Sequence, residues 1–281
     1  MQYSDSELFC KVAKSTSKIL SSLQNPSDVL RFIAMHLTEL RINSEKYPTR
    51  RLYPFSLDVF KATRRLEFTH PVTFFVGENG TGKSTLLKGI AQKCGIHIWK
   101  GFSRTRYENN PHEEALQHYL DIKWNDGEVP GAFYAAEIFR NFAQILDEWA
   151  SSDPGVLGFF GDRSLMTQSH GQSHMSFFEN RFKLKGLYLL DEPENALSPK
   201  SQIHLLSVMR DACRSADAQF IMATHSPILL AYPGATIYSF DYSPIKTIDY
   251  EDTDHFRIYR AFLNKHSGLN QRSGINERSG R

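Results

Sequence analysis

The sequence predicts an α/β fold, a mixed β-sheet with helices on its faces, and two observations carry that prediction. The first is a glycine-rich turn set between an apolar run (Val72-Thr73-Phe74-Phe75-Val76) and a helix-like one (Thr85-Leu86-Leu87-Lys88-Gly89-Ile90-Ala91). The turn reads Gly77-Glu78-Asn79-Gly80-Thr81-Gly82-Lys83-Ser84-Thr85. The second is a pair of unbroken apolar runs, Leu187-Tyr188-Leu189-Leu190 and Phe220-Ile221-Met222-Ala223. Such runs suit strands buried on both faces of a parallel sheet.

At 281 residues the chain has room for one large α/β domain with a small appendage. Its 33 basic and 31 acidic residues give a formal charge of +2, which argues neither for nor against a nucleic-acid partner. No run approaches the roughly 18 apolar residues of a membrane span. Met1-Gln2-Tyr3-Ser4-Asp5-Ser6-Glu7 lacks the form of a signal peptide, so a cytoplasmic protein without a membrane partner is expected. Cys10, Cys94 and Cys213 are widely spaced and form no C-x-x-C pair, which suggests neither a disulfide framework nor a zinc site.

Taken in order, residues 1–45 read as an N-terminal extension of two short amphipathic helices. Leu8, Phe9, Val12, Ile19, Leu20 and Leu23 recur at near-helical spacing, and Val29, Leu30, Ile33, Ala34, Leu37 and Leu40 resume it after Asn25-Pro26-Ser27. Alternation over Phe55, Leu57, Val59 and then Leu66, Phe68 predicts two strands joined by a basic turn, Lys61-Ala62-Thr63-Arg64-Arg65. Arg50, Arg51 and Tyr53 are candidates to flank a nucleotide base. Residues 101–114 read as a polar loop, 116–124 and 132–137 as strands, and 138–149 as a helix. The Gln168-Ser169-His170-Gly171-Gln172-Ser173 stretch leads small and hydroxyl residues into another helix, a place where an anion could sit. Ser198 and Pro199 suit the start of a helix to about residue 216. Strands over 236–240 and 245–250 follow, with a helix capped by Thr253 or Asp254. Residues 266–281 are poor in apolar side chains and read as a disordered tail.

The chemistry concentrates at strand ends. Glycines at 77, 80 and 82 tolerate positive φ, so successive backbone N–H groups of the turn can face phosphate oxygens at the start of a helix. Lys83 would reach the β- and γ-phosphates and the Ser84 hydroxyl would coordinate Mg²⁺. Asp191 and Glu192 follow the first buried run, at the edge where parallel sheets bind ligands. Asp191 can hold Mg²⁺, and Glu192 can orient and deprotonate an attacking water. His225, in Thr224-His225-Ser226-Pro227 at the end of the second run, is placed at the same edge to sense a γ-phosphate.

Together the turn at 77–85, the Ser169-His170-Gly171-Gln172-Ser173 loop, residues 187–192, Asn195-Ala196-Leu197-Ser198-Pro199 and Ala223-Thr224-His225-Ser226-Pro227 resemble the ordered motif set of ABC-type ATPases. Within that superfamily the chain is most similar to small stand-alone bacterial ATPases related to RecF and SMC heads, often labelled AAA family ATPases. The resemblance covers about residues 53–263. It implies a P-loop NTPase of ABC type, with an antiparallel β subdomain and a short helical subdomain over about 138–184 inside an ATPase domain spanning 46–265.

The resemblance further implies a head-to-tail dimer. Ser169, Gly171, Gln172 and Ser173 would form the signature contacting the γ-phosphate held by the other copy's Lys83. Residues 195–198 would be the loop at the dimer interface and His225 the switch histidine. ATP and Mg²⁺ are the implied cofactors, and hydrolysis of ATP to ADP and phosphate the implied activity. The output would go to an effector protein, in phage defence or DNA repair. Two departures stand out. The signature is Ser-His-Gly-Gln-Ser in place of the transporter Leu-Ser-Gly-Gly-Gln, and the glutamine that precedes the signature domain stays unassigned, since Gln117 lies at a workable distance but inside a strand-like run. The interval from Lys83 to Ser169 leaves no room for long coiled-coil arms. A transporter subunit and an ATP-gated nucleic-acid clamp, the latter using Arg50, Arg51, Lys61, Arg64, Arg65, Arg104 and Arg106, are the alternatives.

Overall fold

The computed structural model describes residues 35–99 and 110–273. The expectations for residues 1–34, for 100–109 with Arg104 and Arg106, and for 274–281 fall outside them.

Two sheets sandwich the phosphate-loop helix. The smaller is antiparallel, in the order β2-β1-β4, from β1 (Leu37–Ile42), β2 (Arg65–Glu67) and β4 (Leu120–Trp124). The larger has the order β5-β6-β7-β3-β8-β9. Its strands are β3 (Val72–Val76), β5 (Gly131–Ala135), β6 (Gly186–Asp191), β7 (Ala218–Ala223), β8 (Thr236–Ser239) and the two-residue β9 (Lys246–Thr247). All its neighbours run parallel except β9, which is antiparallel to β8. The helices are α1 (Asp58–Ala62), α2 (Lys83–Lys93), α3 (Phe139–Ser152), α4 (His170–Arg181), α5 (Pro199–Ser215), α6 (Pro227–Leu230) and α7 (Asp254–Ser273).

The apolar runs are unbroken because both sheet faces are covered. Phe75, Leu187, Leu189, Ile221 and Ala223 pack with Leu86, Leu87 and Ile90 of α2 and with Leu37 and Leu40 of the small sheet. The alternate residues Phe74, Tyr188, Leu190, Phe220 and Met222 pack with Leu205, Leu206 and Met209 of α5 and with the helical subdomain. A period of two thus sends each strand's side chains into two cores. In the helical subdomain Phe139 and Phe142 of α3 meet Phe177 of α4 at ring separations of 5.7 and 5.5 Å. Losing one such buried ring typically costs about 3–5 kcal/mol.

Helix starts follow their caps. Ser198 Oγ accepts from Ser201 N at α5, Ser226 Oγ from Ile228 N and Leu229 N at α6, and Thr253 Oγ1 from Phe256 N at α7.

Several sequence expectations are corrected. Residues 37–42 form β1 and are not helical. Leu37 and Leu40 are both fully buried, and a bulge between Leu37 and Glu39 turns two residues three apart to the same face, imitating a helical period. The strand expected over 55–59 is instead a turn leading into α1, with Phe55, Val59 and Phe60 buried at helix-like spacing. The first half of 116–124 is a 3-10 turn, Ala115–Tyr119, which carries Gln117 away from any strand. Only Lys246–Thr247 of the expected strand 245–250 pairs with β8. α7 runs to Ser273, so residues 266–273 are helical where a disordered tail was expected.

Candidate functional site

Strand order assembles the site. Because β7 lies between β3 and β6, the carboxyl ends of three adjacent parallel strands deliver the phosphate loop, His225 and the Asp191-Glu192 pair to one edge. Neighbouring strands are about 4.8 Å apart, so side chains from the outer two meet across the middle one.

The loop is braced from the turn after β8. Asp241 Oδ1 accepts the Glu78 N–H at 2.8 Å, and Thr81 Oγ1 donates to the Glu78 carbonyl at 2.9 Å. Gly77 has φ of +140° and a Cβ there would lie 2.9 Å from Asp241 Oδ1; Gly82 has φ of +106° and would meet Phe60 Cζ at 2.9 Å. At both positions conformation and space require glycine. Lys83 is buried, and its Nζ donates to the carbonyls of Gly77 at 2.6 Å and Glu78 at 2.8 Å. Burial pulls its proton affinity down, opposed by Glu192, Asp241, Asp191 and Glu78.

Ser84 Oγ donates to Asp191 Oδ1 at 2.7 Å. Asp191 is 7% exposed, and burial pushes its carboxyl up to about 6 against the pull of the Ser84 bond and Lys88. Oxygen donors in this pairing fit a hard divalent cation that keeps waters and phosphate oxygens as its other ligands. Among the described residues no group of three or more His, Cys, Asp and Glu side chains could hold a metal by itself.

Glu192 sits in the left-handed region at φ of +47°, its N–H bonded to the Ala223 carbonyl of β7. A non-glycine residue there is strained, and such strain gathers at functional sites. Asn195 Nδ2 donates to Glu192 Oε2 at 2.9 Å, and Glu192 Oε1 lies 3.6 Å from His225 Nε2. Glu194 Oε1 accepts the His225 N–H at 2.5 Å, and burial raises that carboxyl above its usual range. His225 Nδ1 is 2.9 Å from His255 Nε2 on α7.

The stretch 169–173 forms the cap and first turn of α4. The Gln172 side-chain oxygen accepts from Ser169 N and Oγ, and Ser173 Oγ donates to the His170 carbonyl. Gly171 lies against Ala196, with room for a Cβ 4.0 Å from its carbonyl. Among the described residues no hydrogen bond or ion pair joins this stretch to residues 77–85 of the same chain. Tyr53 reaches the site, its hydroxyl bonded to Thr85 Oγ1. Of the basic residues considered for a clamp, Lys61 pairs with Asp58 and Arg65 with Glu39 and Glu67, while Arg50, Arg51 and Arg64 are exposed.

Sequence reasoning missed Asp241, Glu194 and His255. Asp241 carried a usable signal, since it follows a strand beside β3; His255 had none, being one more polar residue in a helix's first turn.

A phosphate loop after β3, an acidic pair after β6 and a third strand between them give the chain the architecture of a P-loop nucleotide-binding fold. Residues 176–231 match the family described as "AAA domain, putative AbiEii toxin, Type IV TA system", and residues 57–119 match another described as "AAA domain". A curated relative, the ribose import ATP-binding protein RbsA 2 of Burkholderia ambifaria, is 23% identical over 68% of the chain, and the match spans 40% of that protein's length. Among solved structures, cbiO1 from Clostridium perfringens, part of an ABC transporter complex, aligns over 84% of this chain and 100% of its own, at 16% identity and a TM-score of 0.47. The SMC head domain from Thermotoga maritima aligns over 76% of this chain and 99% of its own, at 12% identity and a TM-score of 0.38. Among the described residues no helix is long and apolar enough to cross a membrane.

Proposed function

We propose that the chain hydrolyses ATP to ADP and phosphate, with Mg²⁺, between two head-to-tail copies of itself, and passes the change of state to a partner protein. The observation that carries this reading is the meeting of Lys83, Ser84-Asp191, Glu192 and His225 at one sheet edge, with Glu192 Oε1 3.6 Å from His225 Nε2.

In this reading Lys83 exchanges the Gly77 and Glu78 carbonyls for the β- and γ-phosphates, and the backbone N–H groups of 78–85 line the phosphates. Ser84 and Asp191 would hold Mg²⁺, which when bound neutralises phosphate charge. Glu192 accepts a proton from water as its oxygen bonds to the γ-phosphorus and the bond to ADP breaks. His225 contacts the γ-phosphate. The N-terminus of α4, at Ser169, Gly171, Gln172 and Ser173, supplies N–H donors and its dipole to the ATP held by the other copy.

Glu192→Gln should lower turnover about 10²- to 10⁴-fold while ATP stays bound. Lys83→Ala should lose ATP binding. Wild-type hydrolysis by Glu192→Gln would reject the general-base role.

The match of residues 176–231 to a family described as a putative AbiEii toxin of a Type IV TA system is what supports a defence or toxin–antitoxin setting for this reading. The transporter alternative draws its support from the ribose-import relative. Purification of the tagged chain with a membrane protein would favour the second, and with a nuclease or toxin the first.

A further inference from the structure

We infer that His255 is a positioning residue for hydrolysis: it fixes the tautomer of His225, so that His225 presents an N–H at Nε2 to the phosphate pocket. This rests on the ATPase reading above and adds to it a group from outside the motif set.

The two rings meet through His225 Nδ1 and His255 Nε2, 2.9 Å apart. One of those nitrogens carries the hydrogen and the other accepts it. Burial first, and then the nearby Lys83 ammonium, lowers the proton affinity of both rings. Glu192 and Glu78 oppose this at His225, as do Asp241, Asp254 and Glu78 at His255. Each ring is therefore neutral near pH 7, with one hydrogen.

Two arrangements are open to the pair. If His225 donates from Nδ1, its Nε2 is a bare lone pair facing the Glu192 carboxylate and an incoming phosphate, both acceptors. If His255 donates from Nε2, His225 accepts at Nδ1 and carries its hydrogen at Nε2. The surroundings select the second, because His225 Nε2 is buried, has no hydrogen-bond partner, and has Glu192 Oε1 as its near neighbour at 3.6 Å. A ring nitrogen with a fixed donor behind it presents the other nitrogen in a defined state, which is how second-row partners set histidine chemistry.

The packing holds both rings in place. Glu194 Oε1 fixes the His225 backbone N–H at 2.5 Å, and Thr253 caps the helix turn that carries His255. Tyr250, just before that turn, donates its hydroxyl to the Pro227 carbonyl beside the His225 loop at 2.9 Å.

The test has two arms on the full-length chain. In ¹⁵N-histidine spectra recorded above both ring titrations, His225 should appear as the Nε2–H tautomer, and His255→Phe should abolish that preference. A Nδ1–H tautomer for His225 in the unsubstituted protein overturns the inference, whatever the stability of any variant. In the second arm His255→Phe should lower kcat roughly tenfold or more with little change in KM for ATP, and His255→Gln, which retains an N–H donor, should recover most of it. Wild-type kcat in His255→Phe alongside a slow His225→Phe overturns the inference and leaves the ATPase reading standing. Wild-type kcat in both removes the role of His225 itself.

Discussion

The Ser84 hydroxyl donates to Asp191 Oδ1 across 2.7 Å, tying the first turn of α2 to the end of β6, 107 residues away in sequence. Asp191 is 7% exposed and its carboxyl is pushed up to about 6 by burial, so the free chain holds a poorly compensated acid. Removing its charge should therefore act in opposite directions on fold and function. Asp191→Asn keeps an acceptor for Ser84 and should leave the Tm of the nucleotide-free protein unchanged or higher. The same variant should lose hydrolysis and the extra Tm that Mg²⁺ adds on top of ATP. Thermal melts with ATP, with and without Mg²⁺, measure both; a variant that melts lower without ligand yet keeps the Mg²⁺ increment would contradict the assignment.

A composite site makes a mixing prediction. Gly171→Asp puts a carboxylate at the second position of α4, where the helix dipole favours it but a γ-phosphate does not. Gly171 has room for a Cβ, so the variant should fold normally. Lys83→Ala and Gly171→Asp should each be inactive alone. Mixed in equal amounts they should regain about a quarter of wild-type turnover, because half the dimers are hybrids and each hybrid has one intact site. An inactive mixture in which hybrids demonstrably form would exclude the head-to-tail site.

What could be read from the chain was what is local. The phosphate loop is nine consecutive residues, and β6 and β7 declare themselves by apolar runs whose ends are Asp191 and the Thr224-His225 turn. β1 was not legible because its bulge sets Leu37 and Leu40 on one face at a spacing of three, a pattern that helices share. Nor was the support of the site. Asp241 acts on Glu78 across 163 residues and His255 on His225 across 30, and a contact of that kind leaves no trace in spacing.

Gln219 is another polar group of this long-range kind, and it joins the two sheets. Fully buried in β7, its side chain accepts from Leu37 N at 2.8 Å and donates to the Leu37 carbonyl at 2.8 Å, while His36 N also donates to it at 3.1 Å. Gln219→Leu fills similar volume but strands these backbone groups away from water. Each buried group left unpaired costs about 1–3 kcal/mol, so a loss of roughly 3 kcal/mol is expected in denaturant unfolding. ATP affinity should change little, since Gln219 lies at the start half of β7 and the site at its end. A change below about 1 kcal/mol would mean that water or the freed backbone satisfies these groups.

Acid should weaken the helical subdomain through His174. Its side chain is 1% exposed, Nδ1 is bonded to the Tyr134 hydroxyl at 2.8 Å, and Nε2 has no partner. Burial, and secondarily His170, lowers its proton affinity to about 4. Above the ordinary histidine value near 6.5 both folded and unfolded chains hold it neutral, and its contribution does not vary with pH. As pH falls from about 6.5 to about 4 the unfolded chain takes up a proton that the folded chain refuses, so stability drops across that window by up to about 3 kcal/mol. Below it both states are protonated and the loss levels off. Urea midpoints measured from pH 7 to pH 4 should show this slope in the wild type, and His174→Gln, which cannot titrate, should make it shallower, leaving the part that His225 and His255 contribute. Equal slopes in the two proteins would show that His174 takes up its proton in the folded state as readily as in the unfolded one.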